Sequence, residues 1–78
     1  MDKLDVLFKA FEFVTTLNPR ARRSFITWIF VDGRRVYAVI RGPDARRGSN
    51  AIYHALRAAG RRKVRRVANR WGWVVSYV

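Results

Sequence analysis

Residues 3–17, KLDVLFKAFEFVTTL, carry apolar side chains at the spacing of a helix. The apolar positions recur three and four residues apart along the whole segment. Asp2 is a suitable N-cap, because its carboxylate can accept hydrogen bonds from the first free backbone N–H groups. Asn18 and Pro19 form a suitable stop. The pattern therefore predicts a first helix over residues 3–17.

The apolar stripe of this predicted helix is unusually wide. At 100° per residue it covers about 220°, roughly twice what a helix packed on one sheet needs. Phe8, Phe11 and Phe13 contribute most of the excess. Such a helix is either sandwiched within the core or shared with a second protomer. We expect a homodimer in which the N-terminal helix forms part of the interface.

Residues 24–41, SFITWIFVDGRRVYAVIR, contain two apolar runs around Asp32-Gly33, which is typical of a β-hairpin. We expect strands near 22–31 and 35–41. A half-buried strand alternates apolar and polar positions, but here one face is aliphatic and the other is aromatic and basic. A two-residue loop at Asp32-Gly33 places Phe30 opposite Arg35 and Trp28 opposite Tyr37. The predicted aromatic face carries Arg22, Trp28, Phe30, Arg35, Tyr37 and Arg41.

Residues 42–48, GPDARRG, have the composition of a loop. Ser49 or Asn50 is the predicted N-cap of a second helix that continues to about Ala59, with Gly60 after its end. Arg41, Arg46 and Arg47 would then lie beside its N-terminus, where free N–H groups attract anions. This arrangement can hold one backbone phosphate, although a solvated pair of loop arginines is the commoner explanation.

Residues 61–78, RRKVRRVANRWGWVVSYV, fit two structures. The second helix can continue to Trp71, or residues 69–72 can form the turn of a second hairpin. The β-forming residues after the turn favour the hairpin. Its predicted register places Val67 opposite Val75 and Arg65 opposite Tyr77. The second aromatic face would then carry Lys63, Arg65, Trp73 and Tyr77.

These elements predict a single α+β domain over residues 1–78. Its order is helix, hairpin, helix, hairpin (αββαββ), with an antiparallel sheet packed on two helices.

The charge is strongly positive and unevenly distributed. The chain has 17 Lys and Arg against 5 Asp and Glu, a net charge of +12, and 14 of its basic residues are Arg. Residues 1–18 carry a net −1 and residues 19–78 a net +13. Genomic base composition alone can raise the Arg content, but it would not leave the first helix neutral. A polyanionic partner explains both features.

Aromatic and Arg side chains on one sheet face favour binding of single-stranded nucleic acid. Exposed aromatics stack on bases and arginines contact phosphates, so recognition would be largely independent of sequence. The pattern suits DNA and RNA equally. Two alternatives stay open: a structural component of a ribonucleoprotein or chromatin particle that binds duplex or folded RNA through Arg–phosphate contacts, and a basic toxin-like ribonuclease.

Little in the sequence indicates an enzyme. His54 is the only histidine, and the five acidic residues are scattered along the chain. We therefore expect no catalysis, no cofactor and no metal site. The chain has no cysteine and no apolar run long enough to cross a bilayer. These features predict a cytoplasmic protein associated with the nucleoid or a ribonucleoprotein, without a membrane partner.

Overall fold

A computed structural model describes residues 2–78 and confirms the α+β class, with two helices and a four-stranded antiparallel sheet. A short 3₁₀ helix, η1, precedes the first strand, so the element order differs from the predicted one by this addition. The elements are α1 (Lys3–Leu17), η1 (Pro19–Ala21), β1 (Phe25–Asp32), β2 (Arg35–Arg41), α2 (Ala45–Ala58), β3 (Arg65–Asn69) and β4 (Gly72–Tyr77).

Helix α1 has the predicted limits and the predicted cap. The Asp2 carboxylate accepts a hydrogen bond from the backbone N–H of Leu4 at 2.6 Å and another from that of Asp5. At the other end, the Asn18 N–H donates to the Val14 carbonyl, and Pro19 then prevents continuation.

The strands lie in the order β1-β2-β4-β3, and every neighbouring pair is antiparallel. Both helices pack on the same face of this sheet: α2 lies against β4, β2 and β3, and α1 lies beside α2. The core therefore fills the space between one helical layer and one sheet face. Its buried apolar side chains are Leu7, Ala10, Val14, Ala21, Val36, Ala38, Ile40, Ala45, Ile52, Leu56, Val75 and Tyr77.

The first hairpin has a different loop from the predicted one. Its loop residues are Gly33 and Arg34, and Gly33 has the positive φ of 61° that a type II′ turn requires at this position. Phe30 consequently lies opposite Tyr37 and not Arg35. The register moves by two residues, so each residue near the turn keeps its predicted face.

A β-bulge at Thr27 changes the N-terminal half of β1. Trp28 pairs with Val39, but the next paired residue is Ile26, opposite Ile40. The extra residue turns Ile26 toward the core. The strand begins only at Phe25, so the prediction that Arg22 continues the aromatic face was wrong. Arg22 lies exposed in the turn after η1.

The second hairpin exists, but its predicted register was wrong by one residue. Val67 pairs with Val74 and Arg65 with Ser76. A shift of one residue exchanges the two faces of a strand, so Trp73 and Tyr77 face the helices. This register is favoured because Tyr77 becomes fully buried and its hydroxyl donates to the Lys3 carbonyl at the start of α1.

Helix α2 begins at Ala45, four residues before Ser49, the earlier of the two predicted caps. Gly48 suggested a loop, yet it lies inside the helix. Glycine is needed at this position because a Cβ would overlap the Ser24 side chain. The Asp44 carboxylate precedes the helix and accepts from the backbone N–H of Arg23 at 2.8 Å. Ser49, the predicted cap, is buried.

The buried Tyr77 should make the fold less stable at alkaline pH. Desolvation of the buried phenol, only partly offset by Arg61, raises the pKa of Tyr77 to about 12 from its ordinary 10. The contribution of Tyr77 to the free energy of unfolding is therefore complete below about pH 10 and is lost as the pH rises through 12. Tyr77→Phe should lower the free energy of unfolding by about 1 kcal/mol at neutral pH. Urea titrations at pH 7 and at several points from pH 10 to 12 measure both effects.

The pH effect should be smaller in Tyr77→Phe than in the wild type. Tyr53→Phe is the control, since Tyr53 lies on the outer side of α2 and is only partly buried. Equal alkaline loss of stability in the wild type and Tyr77→Phe would contradict the assignment.

Candidate nucleic-acid interface

The sheet face opposite the helices is uncovered within residues 2–78 and forms a shallow groove of about 890 Å³. We call it the open face. Strands β1 and β3 form its two sides, and β2 and β4 form its floor. Its lining residues are Thr27, Trp28, Phe30, Tyr37, Val39, Arg41, Arg65, Val67, Asn69, Trp71, Val74 and Ser76.

Two tryptophans stand on opposite sides of this groove. Trp28 on β1 is 65% exposed, and Trp71 in the β3–β4 turn is 57% exposed. The outer strands of a four-stranded sheet are about 14 Å apart, from the usual strand spacing. Val39 and Val74 lie between them on the floor. Two large exposed ring surfaces therefore flank an apolar strip, and the distance between them would accommodate a stack of a few bases.

A second aromatic pair lies farther along β1 and β2. The rings of Phe30 and Tyr37 are nearly parallel, with an interplanar angle of 7° and centroids 4.6 Å apart. Phe30 remains 44% exposed. Stacking fixes the orientation of both rings before any ligand arrives.

Arg35 is held in place by the protein. Its Nη1 donates to the Lys63 carbonyl at 2.7 Å and to the Ser76 Oγ at 3.0 Å. The guanidinium thereby joins β2 to β4 and to the segment before β3, and it is half-buried. Arg35 is a fixed positive charge beside the groove.

Arg41 and Arg65 are different, because both are exposed and lie toward opposite ends of the open face, Arg41 at the end of β2 and Arg65 at the start of β3. Within residues 2–78 the one ion pair is between Arg23 and Asp44, at 3.6 Å. Neither groove arginine therefore has an acidic partner among the described residues. An exposed guanidinium without an acidic partner can bind phosphate through two parallel N–H donors.

Several predicted site residues lie elsewhere. Trp73 and Tyr77 belong to the core side of β4. Arg46 and Arg47 lie in the first turn of α2, on the helical side of the molecule, and do not form a loop with Arg41. The expected anion site around Ser49 is therefore not formed. Lys63 is exposed in the turn before β3, with a positive φ of 53°.

The Trp73 ring is covered by the guanidinium of Arg66. The Arg66 guanidinium carbon lies 3.9 Å from the Trp73 ring centroid. The Arg66 Nε donates to the Ser49 Oγ at 2.9 Å and its Nη2 donates to the Arg46 carbonyl at 2.6 Å. Partial burial, and then the charge of Arg46, lower the pKa of Arg66. This core-side arginine therefore links β3 to α2 and covers a ring predicted to stack on bases.

The open face also contains residues that the sequence analysis did not assign to it. The one-residue register error placed Val74 and Ser76 on the wrong side of β4, whereas Val67 keeps its predicted face beside Arg65. The sequence predicts Trp71 only as a turn residue, but its exposed ring lines the open face. The available sequence signal was a tryptophan immediately before a glycine in the turn. Glycine is needed there because β2 passes close to the turn: a Cβ on Gly72 would lie 2.6 Å from the Ile40 carbonyl oxygen.

The phenylalanines of α1 do not share one surface. Phe8 is 50% and Phe13 is 60% exposed, while Phe11 is partly buried. Phe8 and Phe13 are five positions apart, which separates them by about 140° around the helix. Phe13 lies beside α2, in a groove that also contains Ala55 and Ala58. One flat interface on α1 would not cover both Phe8 and Phe13.

His54 is exposed on α2. Its ring lies edge-on to Tyr53 with centroids 5.2 Å apart, and Arg57 lies over the Tyr53 ring at 5.6 Å. The ribonuclease alternative would need Arg, Tyr and His side chains that converge on one phosphate. Tyr53, His54 and Arg57 meet on the outer surface of α2, and none of them lines the open face. In residues 2–78, no three His, Asp or Glu side chains converge as a metal site requires.

None of the helices described for residues 2–78 has the length and apolarity needed to cross a membrane. Comparison with protein-family models, with curated proteins and with solved structures finds no match to this chain.

Two adjacent arginines provide a test of the two faces. Arg66→Ala removes a cation–π contact and two hydrogen bonds, so it should lower the free energy of unfolding by about 2 kcal/mol. Arg65→Ala removes the same charge from the open face and should change stability by less than about 0.5 kcal/mol. Urea denaturation followed by circular dichroism measures both. Equal destabilisation by the two variants would contradict the assigned register of β3.

Proposed function

We propose that this protein binds single-stranded DNA or RNA on the open face of its sheet, largely without sequence specificity and without catalysis. One observation carries the proposal: an uncovered sheet face presents two exposed tryptophans together with two arginines that have no acidic partner in residues 2–78. Flat apolar rings and free guanidinium groups match the two components of a single strand, its bases and its phosphates.

In this proposal the strand runs across the sheet, between Trp28 and Trp71. Bases stack on these rings and cover Val39 and Val74, while the phosphates contact Arg41 and Arg65 at the rim. The apolar floor disfavours phosphates in the middle of the groove, because a buried charge without a partner is costly. A duplex fits this surface poorly, since its bases are already stacked and its phosphates face outward.

Arg35 has a supporting role. Its side chain is already hydrogen-bonded, so it contributes a fixed positive potential and holds β2 and β4 together. The net charge of +12 adds a long-range attraction that raises the association rate for any polyanion. Charge would therefore supply the attraction to any polyanion, and the aromatic rings would add affinity for single strands in particular.

Replacing Trp28 by Ala should weaken binding to a single-stranded oligonucleotide by about 1–3 kcal/mol, because one stacked base loses its platform. The dependence of log K on log salt should barely change, since no phosphate contact is lost. Trp71→Ala should behave in the same way. Fluorescence anisotropy with a labelled oligonucleotide at several salt concentrations measures both quantities.

Intrinsic fluorescence is the control for this experiment. Bases stacked on exposed indoles should quench the emission of Trp28 and Trp71, so Trp28→Phe should reduce the quenching. Trp73→Phe should leave it unchanged, because Trp73 is covered by Arg66. Salt-sensitive binding that leaves fluorescence and the affinity of Trp28→Ala unaffected would contradict the aromatic site.

Arg41→Ala and Arg65→Ala should each lower the salt slope of single-strand binding by about 0.7, the value for one phosphate contact. Arg20→Ala, an equal charge change on η1, is the matched control and should have a smaller effect. The same titrations provide the measurement. A uniform effect of all three variants would indicate binding by overall charge alone.

The outer surface of α2 supports a second candidate function, duplex or folded-RNA binding through phosphate contacts. This helix has no acidic residue, and Arg46, Arg47, Asn50 and Arg57 are all exposed on it. The double variant Arg47→Ala/Arg57→Ala would then weaken duplex binding while Trp28→Ala would not. Gel analysis of the RNA after each titration tests the ribonuclease alternative, for which His54→Ala should abolish cleavage.

A further inference from the structure

The two edges of the sheet are not equivalent. Strand β3 has five residues, begins with Arg65 and Arg66 and is followed by Arg70. Strand β1 has eight residues and no charged side chain from Phe25 to Val31. Edge strands expose unpaired N–H and C=O groups, and natural proteins protect such edges with charges and short strands. Strand β3 has this protection and β1 lacks it.

The outer edge of β1 has no partner within residues 2–78. Its backbone ladder is made with β2 alone, and no backbone bond from another described element reaches it. The bulge at Thr27 interrupts the strand, but Trp28 to Asp32 pair with β2 in unbroken register. A regular segment of five residues is therefore available for pairing with another strand.

Apolar side chains lie on both sides of this edge. Trp28 and Phe30 are exposed on the open face, and Val31 is 57% exposed on the face that carries the helices. On α1, Phe8 and Leu4 lie on the flank turned away from α2, since Phe13 on the other flank lies beside α2. A partner strand at β1 would cover apolar surface above and below the sheet.

The distribution of charge over the chain favours a second copy of this chain as the partner at the β1 edge. Each copy carries +12, so two copies repel each other over most of their surfaces. Strand β1, which has no charged side chain from Phe25 to Val31, and the α1 segment, where residues 1–18 carry a net −1, form the surface where this repulsion is weakest. An acidic partner would instead be attracted to the arginine-rich surfaces.

We propose that β1 pairs antiparallel with β1 of a second copy across a twofold axis, producing one eight-stranded sheet. A twofold axis makes the interface self-complementary and closed, so pairing stops at a dimer. The two open faces then become continuous, and Trp28 and Phe30 of both copies meet at the centre. In terms of the proposed function, the second copy doubles the length of the single-stranded site. The pairing itself does not depend on nucleic acid.

Sedimentation equilibrium of the full chain without nucleic acid, in moderate salt, tests the pairing. The wild type should sediment as a dimer at tens of micromolar. Val31→Lys should raise the dissociation constant at least about tenfold, because like charges would meet across the twofold axis. Val67→Lys on β3 is a matched control, with 56% exposure and the same charge change, and should stay dimeric.

A second pair of variants distinguishes this interface from one centred elsewhere on α1. Phe8→Lys should weaken the dimer, while Phe13→Lys on the opposite flank should not. A wild type that is monomeric throughout the concentration range would overturn the proposal. So would dissociation by Val67→Lys or Phe13→Lys without dissociation by Val31→Lys.

Amide hydrogen exchange gives a measurement that does not depend on how the variants fold. Raising the wild-type concentration should slow exchange in the Trp28–Asp32 segment and leave β3 unchanged. Unchanged exchange in that segment while the mass doubles would overturn the proposed edge. Single-strand affinity of Val31→Lys separates the two proposals: a monomer that still binds a short oligonucleotide through Trp28 leaves the proposed function intact.

Discussion

The structure depends on one constraint: two helices cover a single face of the sheet, and residues 2–78 provide nothing to cover the other face. In a strand, successive side chains point to opposite faces, so the register of each strand decides which aromatic residues are buried. Tyr77 and Trp73 lie on the covered side of β4, whereas Trp28 and Phe30 lie on the uncovered side of β1. These residues are chemically similar, and register alone separates core from surface.

The secondary structure could be predicted because its signals are local. The wide apolar stripe and the Asp2 cap gave α1 its correct limits, and the turn residues identified both hairpins. The faces were less predictable. A register error of two residues in the first hairpin changed the cross-strand partners but preserved the faces near the turn. A register error of one residue in the second hairpin exchanged the two faces of β4. The bulge at Thr27 and the helical position of Gly48 both depend on tertiary packing, which no local pattern encodes.

The arginines show why the candidate site could be predicted only in part. Arg65 and Arg66 are adjacent in the sequence, yet one lies free at the groove while the other stacks on Trp73 and is hydrogen-bonded to α2. Arg35 lies on the predicted face, but its guanidinium already donates a hydrogen bond to the Ser76 Oγ. Composition correctly indicated a strongly basic surface. The division of its cations between structural contacts and free surface charges follows from the fold.

The same charge that attracts a polyanion opposes association of two copies, and this opposition links the two proposals. A strand of nucleic acid lying across both open faces would neutralise arginines on each copy and reduce their repulsion. Linkage then requires that pairing through β1 tighten binding by the factor by which binding tightens pairing. Added salt would weaken the phosphate contacts but also screen the repulsion between free copies. Salt should therefore act in opposite directions on binding and on dimerisation without ligand, a combination that one purely electrostatic surface would not produce.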